Sequence, residues 1–139
     1  SDPYFSQTIP KSTGREYFNI GWLEKQLAQF GENIAAIDVQ ATLNAFTAFS
    51  IANSVKQYTP QTVYICGGGV HNDQLTQTLA SQLGNVAVSS TAALGLDPNW
   101  VEAAAFAWLA YRTMNQKTGN LPSVTGAKHA VILGSIHSA

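Results

Sequence analysis

Three consecutive glycines, Gly67, Gly68 and Gly69, follow directly on the run Thr62-Val63-Tyr64-Ile65-Cys66, and Asn72 comes three residues later. Glycine allows positive φ and lets a ligand approach the backbone without meeting a Cβ. A helix N-terminus just beyond such a turn offers unpaired N–H groups and about half a positive charge, which suits a phosphate. The run is neither Gly-x-x-x-x-Gly-Lys-Ser/Thr nor Gly-x-Gly-x-x-Gly. The residues therefore point to a nucleotide or phosphate, with a ligand-free tight turn as the plain alternative. The second candidate is Glu102, the single charge within the apolar residues 100–111. In a first helical turn its carboxylate complements the helix dipole, by about 0.3–1 kcal/mol. Otherwise it points into a cleft and meets a ligand, because a carboxylate buried without a partner is costly. Cys66, the sole cysteine, cannot form an internal disulfide and reads as an inert thiol in a buried strand. No metal ligand is assigned.

These residues need elements to hold them. Residues 62–66 are β-branched and aromatic and predict a buried strand. Asn72 is a helix N-cap, and Leu75, Leu79 and Leu83 then recur on one helical face. Residues 86–89 predict a second short strand. Strand, helix, strand is a right-handed βαβ unit with parallel pairing. In such sheets ligands bind at the carboxyl ends of the strands, and the loop 90–96 crosses that same edge. Asp97 as N-cap and Pro98 at the first helical position open the next helix, which is apolar nearly all round and so expected to be buried on most faces. Residues 130–133 read as a last short strand.

Upstream, a helix is expected over 19–30, with Leu23, Leu27 and Phe30 on one face and Gly31 as its stop. A longer one, capped by Asp38 and ended by Pro60, carries Val39, Leu43, Phe46, Phe49, Ala52 and Val55 on one face. Trp22, Phe46 and Phe49 read as core, with a subunit interface of a homodimer as the alternative. Residues 1–16 look extended. Their end, Lys11-Ser12-Thr13-Gly14-Arg15-Glu16, reads as a solvated loop or as a polar clamp at a domain boundary or ligand cleft.

The 139 residues suffice for a single ordinary domain. Only 11% of them are charged, against roughly 25% in typical domains. A surface so poor in charge implies that part of it is covered by another domain or subunit. The net charge of −1 gives no electrostatic footprint for nucleic acid or an anionic membrane. No apolar run approaches the roughly 18 residues of a membrane span, and residues 1–7 do not read as a signal peptide. A reduced, cytoplasmic setting is expected.

Several segments together resemble the carboxyl-terminal part of the anhydro-N-acetylmuramic acid kinases. They are Asp2-Pro3-Tyr4-Phe5, Pro10-Lys11-Ser12-Thr13-Gly14-Arg15-Glu16 with Phe18-Asn19 and Trp22-Leu23, Asp38-Val39-Gln40-Ala41-Thr42-Leu43, and Cys66-Gly67-Gly68-Gly69 through Asn72. Ser90-Thr91 to Leu94-Gly95, Trp100-Val101-Glu102-Ala103-Ala104-Ala105-Phe106-Ala107-Trp108-Leu109-Ala110 and Gly119-Asn120-Leu121-Pro122-Ser123-Val124-Thr125-Gly126-Ala127 complete the set. The resemblance implies an α/β, ribonuclease-H-like or actin-like fold of two halves, as in sugar kinases and Hsp70, with ATP in the cleft. It implies an enzyme of peptidoglycan recycling that uses ATP and Mg²⁺. Such an enzyme opens 1,6-anhydro-N-acetylmuramic acid with water and phosphorylates O6, giving N-acetylmuramic acid 6-phosphate. Carried onto this chain, Gly67, Gly68, Gly69 and Asn72 would line the nucleotide. Glu102 would face the sugar and help to place the attacking water, in support of a main catalytic aspartate.

That aspartate and the Gly-Thr-Ser-x-Asp-Gly phosphate loop belong to the amino-terminal half of such kinases. The aspartates here are Asp2, Asp38, Asp73 and Asp97, and there is no Gly-Thr-Ser run. The chain thus reads as a piece of the enzyme, inactive alone, whose partner is the missing half. The alternatives are part of another actin-like sugar kinase or ATPase, and a non-catalytic nucleotide-binding module.

Overall fold

The computed structural model describes residues 2–31 and 33–137. Contacts divide the chain into two units, Ile34–Ala104 and Ser1–Asn33 with Ala105–Ala139.

The unit Ile34–Ala104 contains α1 (Ala36–Lys56), β1 (Thr62–Ile65), α2 (Asp73–Leu83) and β2 (Ala87–Ser90). β1 and β2 pair in parallel, from Thr62 opposite Ala87 to Ile65 opposite Ser90. The expected parallel strand–helix–strand unit is present. Val63 and Ile65 alternate inward and join a core built on Ala48 and Ala52 of α1 and Leu79 and Leu83 of α2. The leucine spacing in α2 therefore serves the purpose its pattern suggests. Asn72 caps α2, its side-chain oxygen accepting from the Leu75 N–H at 3.0 Å. Gly84, at φ 65°, ends it.

Several expectations fail here for physical reasons. α1 begins at Ala36, because the Ala35 carbonyl already accepts from the N–H groups of Asp38 and Val39. Asp38 is thus a first-turn carboxylate favoured by the dipole, and not the cap. Phe49 is 50% exposed, because α1 turns Ala48 and Ala52 to α2 instead. β1 is half-buried rather than buried: Tyr64 faces away from the core, and two strands leave that side uncovered. Cys66, just past the strand end, is exposed and is no core thiol.

The other unit opens with a 3-10 helix, Pro3–Ser6, and α3 (Ile20–Leu27). Asn19 caps α3, accepting from the Trp22 N–H at 3.0 Å. The helix is shorter than expected, since residues 29 and 30 close tighter turns onto Gln26 and Leu27, and Gly31 takes φ 92°. The aromatic rings of Tyr4, Phe5, Tyr17, Phe18 and Trp22 pack at centroid distances of 4.9–6.3 Å. Lys11 Nζ donates to the Tyr4 and Phe5 carbonyls, at 3.0 and 3.3 Å, and sits 4.7 Å over the Tyr4 ring. It is a clamp within this unit, while Ser12, Thr13, Arg15 and Glu16 are exposed.

Asp2 anchors that cluster. Its carboxylate accepts from Trp22 Nε1 at 2.8 Å, from the Tyr4 N–H at 2.9 Å and from the Tyr17 hydroxyl at 3.0 Å. These bonds, Trp22 foremost, hold its pKa below the ordinary carboxylate value, and the hydrogen bond from the Tyr17 hydroxyl to Asp2 raises the pKa of Tyr17. A depressed acid stabilises the fold above its unfolded pKa of about 4 and loses that contribution as pH falls through the folded value. The Trp22 indole N–H resonance is expected to hold steady from neutral pH down to about 4 and shift below it. In Asp2→Asn that acid step should vanish; an identical titration in both proteins would dismiss the clasp.

Residues 105–114 of α4 (Val101–Met114) and the short α5 (Pro122–Thr125) complete this unit. α4 is not buried on most faces: Phe106 is 64% exposed and Met114 69%. Its sequence signals burial, but the chain supplies too little to cover it. The expected strand at 130–133 is absent: its backbone groups pair with the Gly119 N–H and with side chains rather than with a neighbouring strand. Asn120 accepts from the Val131 N–H at 2.7 Å and donates to the His129 carbonyl, and Thr113 Oγ1 donates to the Leu133 carbonyl. Among the described residues, no helix is long and apolar enough to cross a membrane.

Candidate functional site

The register that pairs Ile65 with Ser90 makes Cys66 and Thr91 the next residues along, so both connections leave the same carboxyl edge. One is the glycine turn. Gly67 has φ 72° and precedes a 3-10 helix, Gly68–His71, after which Asn72 caps α2. The other is a 3-10 helix, Thr91–Leu94, closed by Gly95 in the left-handed region. The residues after it return to the glycine turn. The Gly67 N–H donates to the Pro98 carbonyl at 2.8 Å, and His71 Nε2 lies 3.0 Å from Asn99 Oδ1. Asp97 Oδ1 accepts from both the N–H and the side-chain Nδ2 of Asn99, at 2.8 and 3.1 Å. Asp97 thus caps a turn over residues 98–100, and α4 itself starts at Val101.

The glycines have distinct reasons for being glycine. Only Gly67 has positive φ, so only there does the backbone require it. A Cβ at Gly67, Gly68 or Gly69 would meet nothing within 4 Å. The surface over the turn is open, and the packing of this unit does not demand the absence of a side chain at Gly68 or Gly69. A ligand approaching that surface would meet no Cβ there. Asn72 uses its Oδ1 for the cap and keeps its Nδ2 donors. Thr91 Oγ1, on the opposite strand end, is buried with no hydrogen-bond partner among the described residues. Thr91 lies in the loop that the sequence already puts at this edge, whereas His71 and Asn99 carry no signal of their own as site residues.

Glu102 is exposed in the first turn of α4, three residues past Asn99. The segment that bears it is therefore the one fastened to the glycine turn. Among the described residues no group of three or more His, Cys, Asp or Glu side chains gathers to hold a metal. A magnesium ion brought to this edge would be held through phosphate oxygens and water, as Mg²⁺ commonly is.

The glycines separate by mutation in the full-length protein. Gly67→Ala is expected to lower stability by about 1 kcal/mol without any ligand, because alanine is strained at that φ. Gly68→Val should leave the melting temperature near wild type and weaken ATP about tenfold, or about 1.4 kcal/mol. Calorimetric ATP affinity unchanged in Gly68→Val would make the turn purely structural.

A parallel strand–helix–strand unit with an open glycine turn at its carboxyl edge defines an α/β protein of the kind that receives ligands at that edge. More particularly, the chain belongs to the anhydro-N-acetylmuramic acid kinase family, whose family model matches residues 1–139. It is 51% identical to the anhydro-N-acetylmuramic acid kinase of Thiobacillus denitrificans over 139 residues, which are 99% of this chain and 37% of that protein. It is 49% identical to that of Shewanella halifaxensis, covering 100% of this chain and 38% of the relative. The kinase of Coxiella burnetii is 46% identical, with 99% and 37% covered. The chain thus spans less than two-fifths of the length of these relatives. The matches carry the family and the share of length, and not the carboxyl-terminal placement expected from the motifs.

Proposed function

We propose that this chain is the nucleotide-binding part of an ATP-dependent kinase acting on 1,6-anhydro-N-acetylmuramic acid in cytoplasmic peptidoglycan recycling, on a two-part actin-like fold. The observation that carries the reading is the open glycine turn, where a Cβ at Gly67, Gly68 or Gly69 would meet nothing within 4 Å. Gly67, Gly68 and Gly69 line the phosphates and Asn72 adds its amide donors. ATP supplies the phosphoryl group when bound, with Mg²⁺ on its phosphates. Water adds at C1 of the sugar, the bond from C1 to O6 breaks, and O6 takes the phosphoryl group. The products are ADP and N-acetylmuramic acid 6-phosphate. Glu102 orients the water, and the main catalytic aspartate lies in the rest of the kinase. The apolar side chains left open on α4 are covered by that remainder rather than by a second copy of the chain.

The full-length protein, given ATP, Mg²⁺, the anhydro sugar and isotopically labelled water, is expected to release a 6-phosphate labelled at the C1 oxygen. A phosphorylated product that retains the anhydro ring, or no product, would refute the proposal.

A further inference from the structure

We propose that His71 is a specificity-determining residue that presents a fixed hydrogen-bond acceptor, its Nδ1, to a donor on the bound nucleotide. The proposal rests on the nucleotide reading of the glycine turn. The chemistry begins at Asp97, whose carboxylate can only accept. It takes the backbone N–H of Asn99 at 2.8 Å and the side-chain Nδ2 at 3.1 Å. The Asn99 amide is thereby fixed, with its nitrogen toward Asp97 and its oxygen away. That oxygen lies 3.0 Å from His71 Nε2. Two acceptors cannot share this contact, so Nε2 carries the hydrogen. In a neutral imidazole Nδ1 then holds the lone pair. Nδ1 has no hydrogen-bond partner among the described residues, and His71 is exposed.

Position supports the role. His71 closes the 3-10 helix that Gly68 opens, and the bond from the Gly67 N–H to the Pro98 carbonyl ties the start of that helix to the same loop that holds the ring. The imidazole is therefore anchored at the end of the 3-10 helix that the open glycines begin. An acceptor there suits the exocyclic amino group of adenine or a ribose hydroxyl. Inosine triphosphate carries a carbonyl where adenine has its amino group, and would set acceptor against acceptor. Sites built on such polar contacts discriminate strongly against analogues that cannot make them.

The test uses the full-length kinase and calorimetric affinities for ATP, inosine triphosphate and 2′-deoxy-ATP, with melting temperatures alongside. Wild type is expected to prefer ATP by about tenfold or more over one of the two analogues. Loss against inosine triphosphate assigns the adenine amino group, and loss against 2′-deoxy-ATP assigns the ribose. His71→Phe keeps a ring but no acceptor and should erase the preference. His71→Gln can donate to Asn99 and still offer an oxygen, and should restore it. Asn99→Leu, which frees the imidazole tautomer, should reduce it without a matching fall in melting temperature. A wild type that binds all three equally, or a His71→Phe variant that keeps the wild-type preference, overturns the proposal. A wild type with no ATP affinity overturns instead the nucleotide reading beneath it.

Discussion

Glu102→Gln in the full-length kinase is expected to lower kcat by roughly 10²-fold or more, the usual loss for a positioned acid–base group. Glutamine keeps the shape and most of the hydrogen bonding but cannot accept a proton or carry charge. Melting temperature and ATP affinity should change little. The competing account gives the residue only a dipole to complement, worth about 1 kcal/mol at most. On that account stability moves slightly and catalysis not at all. We favour the first. Glu102 is exposed, and it lies three residues past Asn99, in the segment that bonds the glycine turn. Its place is thus fixed relative to that turn through Pro98 and Asn99. A Glu102→Gln kcat within about threefold of wild type, less than 1 kcal/mol in barrier, would return it to the dipole role.

What could be read from the sequence follows the range of each signal. The strand–helix–strand unit was legible because a β-branched run, an Asn cap and a leucine spacing all act within a few residues. The parallel pairing followed from the connection. The apolar residues of α4 were legible as a surface that needs cover, but no pattern says whether the cover lies in the same chain, and Phe106 and Met114 are open. The apolar run at 130–133 reads as a strand, but the Val131 N–H goes to the side chain of Asn120, some ten residues away. The glycine turn was visible as a motif. That Gly67 alone answers a backbone need, and Gly68 and Gly69 none, required the dihedral angles and the empty space above them. The tie from His71 to Asn99 spans 28 residues and joins two polar side chains common in any loop. Only the folded sheet edge brings them together.

The 139-residue chain by itself is expected to phosphorylate no anhydro sugar, even at saturating ATP and Mg²⁺. Phosphoryl transfer rests on positioning and charge stabilisation supplied together, so part of a site keeps little of the rate. Each aspartate of the chain is otherwise engaged or stands in a helical first turn. Asp2 is clasped by Trp22, Tyr4 and Tyr17, and its lowered pKa makes it a weak base. Asp38 and Asp73 complement the dipoles of α1 and α2. Asp97 holds Asn99. That leaves Glu102 without the main base it is proposed to assist. Adding the rest of the kinase as a separate polypeptide should restore turnover to the extent that the two associate, since the open side chains of α4 offer apolar surface for the contact. A coupled assay for ADP, with product identified by mass, decides the matter. Sugar-dependent turnover by the isolated chain, abolished by Glu102→Gln, would show that this chain holds a complete site.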